Sequence, residues 1–177
     1  VSRVLILLES MTHPDVQLSM LDELAERTIG EMGGVPVNKG YHPAWAATPF
    51  PATVCMSIDD EVCHAPPGDR VLKEGMIIKY DLGVRYRGGC GDAALTVAVG
   101  EVSNRKLRTM RYAKKALYDA IRTVKAGAPI SDIGKSIEAN CLMYNMRVIK
   151  EYGGHHIGRE MHERPQIPNY YVPRDDD

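Results

Sequence analysis

Residues 76–99 read MIIKYDLGVRYRGGCGDAALTVAV, and this stretch decides the fold. Apolar residues fill both of its halves, and the pair of glycines in the middle is typical of a tight turn. The pattern predicts an antiparallel β-hairpin. If the turn is centred on Tyr86 and Arg87, the two acidic residues of the stretch face each other. They are Asp81, near the end of the first strand, and Asp92, near the start of the second; a turn one step later shifts this register.

Two aspartates opposed in this way need compensation. Directly opposed side chains have Cβ atoms roughly 4.5–5.5 Å apart, and like charges at that separation destabilise a sheet. Three interpretations are open for Asp81 and Asp92. One carboxyl keeps its proton, a divalent cation lies between the two hard oxygen donors, or both residues are solvated flanks of a turn. The pair alone does not choose among them.

The composition is that of an ordinary globular chain of 177 residues, with a formal net charge of −1. This length is enough for one domain with a real core, so a single domain is predicted over residues 1–177. A charge near zero gives no electrostatic reason to expect nucleic acid or an anionic membrane as a partner. The longest apolar run, residues 4–8, is too short to span a membrane, and no signal-peptide pattern opens the chain.

The cysteines indicate a reducing environment. None of the four belongs to a C-x-x-C motif: they are Cys55, Cys63, Cys90 and Cys141. Their spacing fits reduced thiols and excludes a disulfide framework, a zinc finger or a thioredoxin-like motif. These features predict a cytoplasmic protein.

Apolar spacing predicts helices before and after the hairpin. One opens the chain, and a second runs from Ser19, a candidate N-cap, to the glycines at 33–34. A third follows Ser103, with Leu117 and Ile121 on one side and basic residues on the other. A fourth follows Ser131. A strand is predicted over residues 53–58.

Histidines mark two further places. His64 follows the predicted strand and precedes a Pro-Pro loop, where it has either a catalytic role or a hydrogen-bonded structural one. Residues 151–165, EYGGHHIGREMHERP, carry three histidines within eight residues, framed by glycines. Glycines let a ligand approach the backbone closely, and histidine is the commonest metal ligand. The alternative for this stretch is a solvated histidine-rich loop.

Three separated stretches resemble, in order and spacing, the type I methionine aminopeptidases. They are VCMSIDDEVCHAPPG at 54–68, Asp81 with Asp92 eleven residues later in a GGCGD context, and EYGGHHIGREMHERPQI at 151–167. The resemblance implies the α+β pita-bread fold, an antiparallel sheet flanked by helices in two pseudo-symmetric halves around a dinuclear metal site. It also implies removal of the initiator methionine from new polypeptides by two-metal hydrolysis.

By position, the resemblance assigns metal ligands. Asp81 resembles the first metal carboxylate, Asp92 the carboxylate that touches both ions, and His155 the imidazole ligand. The implied cofactor is therefore a pair of divalent ions. An imidazole beside carboxylates suits Mn, Fe, Co or Zn better than Ca, and the choice among the four is open.

The resemblance also assigns residues outside the metal shell. His64 and His162 resemble the pair that holds the substrate and stabilises the tetrahedral intermediate. Tyr41, Cys55 and Met161 lie where the family builds its pocket for the methionine side chain. The implied partner is a peptide or nascent-protein N-terminus, with the ribosome as a setting left open. No membrane or direct nucleic-acid partner is expected.

Departures from the family pattern set the limits of this expectation. The family completes its site with two glutamates beyond the histidine-rich stretch, and this sequence stops at Asp177. The first helix also lacks a start signal. The expectation is a metallopeptidase-like domain truncated at both ends, with the second half of the fold incomplete. Its own activity is doubtful, and it is a monomer unless a partner supplies the missing half.

Two other functions stay open. One is a non-catalytic pita-bread binding module that kept the shape and lost the chemistry. Such a relative should have lost Asp81, Asp92 or His155, and all three are present. The other is an X-Pro aminopeptidase relative, whose metal pattern is similar.

Overall fold

The computed structural model describes residues 1–44 and 46–173, which fall into two compact units. The first unit comprises residues 1–103 and 157–161, and the second comprises residues 104–156 and the chain from 162 onward. The single domain expected over 1–177 stays a prediction.

The predicted hairpin is the centre of the first unit. In chain order, the four strands of its sheet are β1 (Val35–Pro36), β2 (Cys55–Ile58), β3 (Ile77–Tyr86) and β4 (Gly89–Ala98). The long strand β3 pairs antiparallel with β4 along its whole length, and β1 and β2 pair with it on the other edge. Because β3 lies between its partners, its residues occupy the middle of both sheet faces.

The turn of the hairpin lies one residue later than a centre at Tyr86 and Arg87. Its two residues are Arg87 and Gly88, with φ of +49° and +84°. Positive φ at both positions is the turn geometry that matches the twist of paired strands. Asp81 therefore pairs with Ala94, and Asp92 pairs with Gly83. The prediction that the aspartates are directly opposed is wrong, because moving the turn by one residue moves every pairing by two.

Two helices cover one face of this sheet. They are α1 (Ser2–Ser10) and α2 (Leu18–Glu31), whose inward side chains form one core with alternate residues of the strands. On β3 the fully buried members of this core are Ile78, Tyr80 and Leu82. Because side chains alternate along a strand, the residues between them point to the opposite face.

The start of α2 differs from the prediction. The helix begins at Leu18, and Ser19 lies inside it, so Ser19 is not the N-cap. The acidic residue three positions on has another role: the Asp22 carboxylate accepts hydrogen bonds from the backbone N–H groups of Thr53 and Val54, at 3.2 and 2.8 Å. Burial raises the pKa of Asp22, and these two bonds oppose the increase. Asp22 thus ties the helix to the segment that enters β2.

The second unit contains two helices and a two-stranded sheet. They are α3 (Asn104–Thr123), α4 (Ser131–Met143), β5 (Gly153–His156) and β6 (Glu163–Pro168). The helices contact each other, and the rings of Tyr112 and Tyr144 stack with centroids 3.8 Å apart. On α3 the buried residues are Ala116 and Ala120, whereas Leu117 and Ile121 are about half exposed. In the described part of the chain, no helix combines the length and apolarity needed to cross a membrane.

Candidate active site

The face of the first sheet opposite the helices carries the predicted carboxylates. The register places Cys55, Asp81 and Ala94 in one row across β2, β3 and β4. The next row of the same face pairs Gly83 with Asp92. The two aspartates are therefore diagonal neighbours on one face, a relation that separates Cβ atoms by roughly 7 Å. Asp81 is half-buried and Asp92 is exposed.

An asparagine that the sequence analysis did not single out holds this row in place. The Asn38 side-chain amide donates to the backbone carbonyl of Asp81 at 3.2 Å and to Cys55 Sγ at 3.8 Å. The proline-rich sequence around Asn38 carries no periodic signal, so only the folded chain reveals this contact. Asn38 thus links the backbone of Asp81, the first predicted metal ligand, to the predicted pocket residue Cys55.

The Cys55 thiol is a neutral part of the same face. Its residue is 6% exposed. Burial raises the pKa of Cys55 to about 12, and the nearby charges of Asp81 and Asp92 add to the increase. The thiol therefore stays protonated at neutral pH and is not a nucleophile. The same effect indicates that both carboxylates lie within electrostatic reach of one sulfur atom.

Met161 lies against this face at a glycine. A Cβ atom added to Gly83 would lie 2.8 Å from Met161 Sδ and 2.5 Å from Val37 Cγ2, closer than side chains can approach. Gly83 pairs with Asp92 and lies two residues from Asp81. The absence of a side chain at this position thus lets the predicted pocket residue Met161 reach the sheet at Gly83, the cross-strand partner of Asp92.

The segment that carries Met161 is attached to the tip of the hairpin. The Cys90 N–H donates to the Gly158 carbonyl at 2.7 Å, and Cys90 Sγ donates to the Arg159 carbonyl at 3.3 Å. Arg85 and Glu160 form an ion pair at 3.2 Å. These contacts hold residues 157–161 on the strands that carry both aspartates.

His64 lies in the loop after β2. It is exposed, with φ of +59°, a left-handed conformation uncommon for a residue other than glycine. The residue that follows it is bound to β2, because the Met56 N–H donates to the Ala65 carbonyl at 2.8 Å. Tyr41 lies in the segment after Asn38, where its carbonyl accepts a hydrogen bond from the Phe50 N–H at 2.8 Å. The roles expected for His64 and Tyr41 stay predictions.

His155 and His162 lie together in the second unit. His155 is on β5, His162 immediately precedes β6, and their ring centroids are 4.3 Å apart. His155 Nδ1 lies 3.0 Å from the His156 carbonyl, which can only accept a hydrogen bond, so Nδ1 is the donor in this contact. His156 Nδ1 lies within hydrogen-bond distance of Glu163 Oε2, at 3.2 Å. Convergence of His155 with the aspartates stays a prediction.

The donor chemistry of the aspartate face fits divalent metal. Two carboxylates on one face are hard oxygen donors, and a metal ion would offset the repulsion between them. Across residues 1–44 and 46–173, no three His, Cys, Asp or Glu side chains form an arrangement that could hold a metal ion. The described residues therefore supply a carboxylate pair that suits a metal ion, without a complete ligand set.

Comparison with known proteins gives matches over nearly the whole chain. The model of metallopeptidase family M24 matches residues 1–177. The methionine aminopeptidase of Clostridium acetobutylicum is 38% identical over 174 residues, which are 98% of this chain and 67% of that protein. Methionine aminopeptidase 1 of Bacillus subtilis is 35% identical over 166 residues, 94% of this chain and 64% of that protein.

A solved structure agrees with these matches. The crystal structure of methionine aminopeptidase from Rickettsia prowazekii superposes with a TM-score of 0.90 at 31% identity, covering 96% of this chain and 66% of that one. The likeness confirms the predicted α+β pita-bread fold. This chain spans about two thirds of the length of the three proteins.

Proposed function

This chain belongs to metallopeptidase family M24, and we propose that its function is that of a metalloaminopeptidase that removes the initiator methionine from new polypeptides. The observation that carries the proposal is the placement of Asp81 and Asp92 on one sheet face, with Met161 against Gly83, the cross-strand partner of Asp92. The names of the relatives described above, all methionine aminopeptidases, support the choice of substrate.

Membership of a metallopeptidase family implies a divalent metal. Two ions, held by Asp81, Asp92 and His155 and drawn from Mn, Fe, Co or Zn, are the finer proposal. When bound, such ions supply Lewis acidity that acidifies water and stabilises negative charge on a carbonyl oxygen.

The remaining residues act on the peptide. His64 and His162 are proposed to hydrogen-bond the substrate and to stabilise the tetrahedral intermediate that forms at its carbonyl. Tyr41, Cys55 and Met161 are proposed to surround the methionine side chain. A protonated thiol and a thioether are polarizable and uncharged, which suits contact with a methionine sulfur.

The alternatives receive less support. A non-catalytic binding module should have lost Asp81, Asp92 or His155, and the chain carries all three. The relatives described above are named methionine aminopeptidases and not X-Pro aminopeptidases. The partner in this proposal is a peptide N-terminus, whereas a ribosomal setting and a monomeric state are further parts of it. The four cysteines, none of which belongs to a C-x-x-C motif, support a cytoplasmic location.

Calorimetry with manganese chloride tests the metal site. We expect the 177-residue chain to bind manganese weakly, since no three His, Cys, Asp or Glu side chains of the described residues form a metal-ligand set. Asp92→Asn should lower the affinity by at least about tenfold. Asp60→Asn, a change at an exposed turn residue of the same unit, should leave it unchanged. Tight binding of two ions per chain would contradict the expected weak affinity, and equal affinities for all three proteins would contradict the assignment of Asp92.

Hydrolysis of Met-Ala tests the reaction. We expect a low rate for the 177-residue chain with manganese, and no measurable rate for Asp92→Asn. Ala-Ala serves as the control substrate, because it lacks the side chain that the proposed pocket holds. Faster hydrolysis of Ala-Ala than of Met-Ala would show that the pocket is wrongly assigned.

A further inference from the structure

The loop that carries His64 has an unusual backbone. It spans residues 59–68 and begins directly after β2, which ends at Ile58. The loop then returns alongside β2, where the Ala65 carbonyl accepts a hydrogen bond from the Met56 N–H. At His64 the backbone has φ of +59°. A side chain with a Cβ atom is unfavourable in this conformation, which persists where neighbouring contacts hold it in place.

One side chain makes contacts on both sides of His64. Arg70 donates five hydrogen bonds, and all of them go to this loop or to the strand beside it. Its acceptors are Glu61 Oε1 and Oε2 at 2.7 and 2.8 Å, the Met56 carbonyl at 2.8 Å, the Pro66 carbonyl at 2.7 Å and the Pro67 carbonyl at 3.1 Å. The guanidinium thus joins a residue before His64, two residues after it and β2.

Glu61 completes this arrangement. Besides the bidentate contact with Arg70, its Oε2 accepts the Ile58 N–H at 2.7 Å, at the end of β2. The Arg70 and Glu61 side chains are 36% and 40% exposed. Ion pairs this exposed add little to stability. The consequence of the pair is therefore geometric, because its hydrogen bonds fix the two ends of the loop relative to the strand.

Lysine could not replace Arg70 in this position. The guanidinium is planar and carries five N–H donors in a fixed fork, whereas an ammonium is a point charge with three. No single ammonium can serve a carboxylate on one side and three carbonyls on the other. The contacts at Arg70 require the whole fork.

We propose that Arg70, together with Glu61, is a positioning residue that holds the His64 loop in its left-handed backbone conformation and so aims His64 at the substrate. The orientation of His64 toward the substrate rests on the proposed function, in which His64 binds the peptide. The conformation of the loop does not, so the two roles of Arg70 can be tested separately.

Nuclear magnetic resonance of the 177-residue chain tests the loop. In Arg70→Met, we expect the Cα and Cβ shifts of His64 to move away from left-handed values. We also expect exchange of the Met56 amide hydrogen to accelerate by at least about tenfold. Arg122→Met is the matched control, because Arg122 forms an exposed ion pair with Asp119 on α3. A residue that merely stabilised the fold would lower the unfolding midpoint and leave the native His64 shifts in place.

Two milder variants keep the test decisive if Arg70→Met does not fold. Glu61→Gln and Arg70→Lys should both move the His64 shifts in the same direction as Arg70→Met. Left-handed His64 shifts in both variants would overturn the proposal.

Titration with Met-Ala then tests the link to the substrate. In the unmodified chain the His64 ring signals should move on addition of Met-Ala, and Arg70→Lys should weaken binding by about tenfold. If the ring signals of the unmodified chain do not move, the role of His64 in the proposed function is wrong, while the backbone shifts still decide the role of Arg70. Equal affinity in Arg70→Lys would overturn the positioning role.

Discussion

The two faces of the sheet in the first unit are built from alternate residues of the same strands and differ in what they do. One face places Met56, Tyr80 and Leu82 in the core under α1 and α2. The other carries Cys55, Asp81 and Asp92. Residues that stabilise the core and residues proposed for the chemistry therefore alternate along the same strand, with a period of two residues. Substitutions on the two faces should therefore separate the two properties.

The largest expected effect is on the core face. Leu82 is 0% exposed, so Leu82→Ala should lower the free energy of unfolding by about 2–5 kcal/mol. Leu117→Ala is the control, because Leu117 is 54% exposed on α3 and its loss should cost less than about 0.5 kcal/mol. Urea titration followed by circular dichroism measures both. Equal losses would show that the sheet core does not stabilise the chain.

Gly83 lies on the face that carries Asp81 and Asp92, but it is as tightly packed as the core residues. Gly83→Ala introduces a Cβ atom at 2.5 Å from Val37 and 2.8 Å from Met161, and should cost about 1–3 kcal/mol of unfolding free energy. Gly91→Ala is the matched control on β4, where the added atom would lie at an ordinary 3.5 Å from Val1. An unchanged free energy of unfolding in Gly83→Ala would mean that Met161 does not contact the sheet at Gly83.

Asp92→Asn should most clearly separate metal binding from the stability of the metal-free chain. The residue is exposed, so in metal-free buffer the unfolding free energy should change by no more than about 0.5 kcal/mol. With manganese present, the unmodified chain should gain stability that the variant does not, because a ligand bound only to the folded state raises its stability. Thermal unfolding with and without manganese measures the difference. An equal gain in both proteins would place the metal elsewhere.

The smallest expected effect is a dependence on pH at Asp22, which lies on the core side. Burial raises its pKa in the folded chain. A carboxyl with a raised pKa contributes stability that is fully present below its unfolded pKa and is lost as pH rises through the folded value. The unfolding free energy of the unmodified chain relative to Asp22→Asn should thus fall as pH rises from 3 through the folded pKa. A relative rise over this interval would reverse the assigned sign.

The site could be predicted from the sequence only in part. Asp81 and Asp92 were identified because a hairpin pattern and the motif spacing both point to them, and the structure places them on one face. Their pairing was not predicted correctly, because the turn conformations at 86–87 and at 87–88 are close alternatives in a stretch with two glycines. Asn38 and Gly83 were missed because their roles depend on residues distant in the sequence, at positions 55, 81 and 161.

The sequence alone does not predict the strands β1, β5 and β6. It does predict the four helices, the hairpin and the strand before it, the alternation of polar and apolar residues on β3, and the family resemblance. These depend on local patterns, since strand and helix periods are set by backbone geometry. Three features could be read only from the folded chain. They are the register of the hairpin, the contact of Met161 with Gly83, and the hydrogen bonds of Arg70 around His64. Each of these requires segments far apart in the chain to meet, and a local pattern does not encode such meetings.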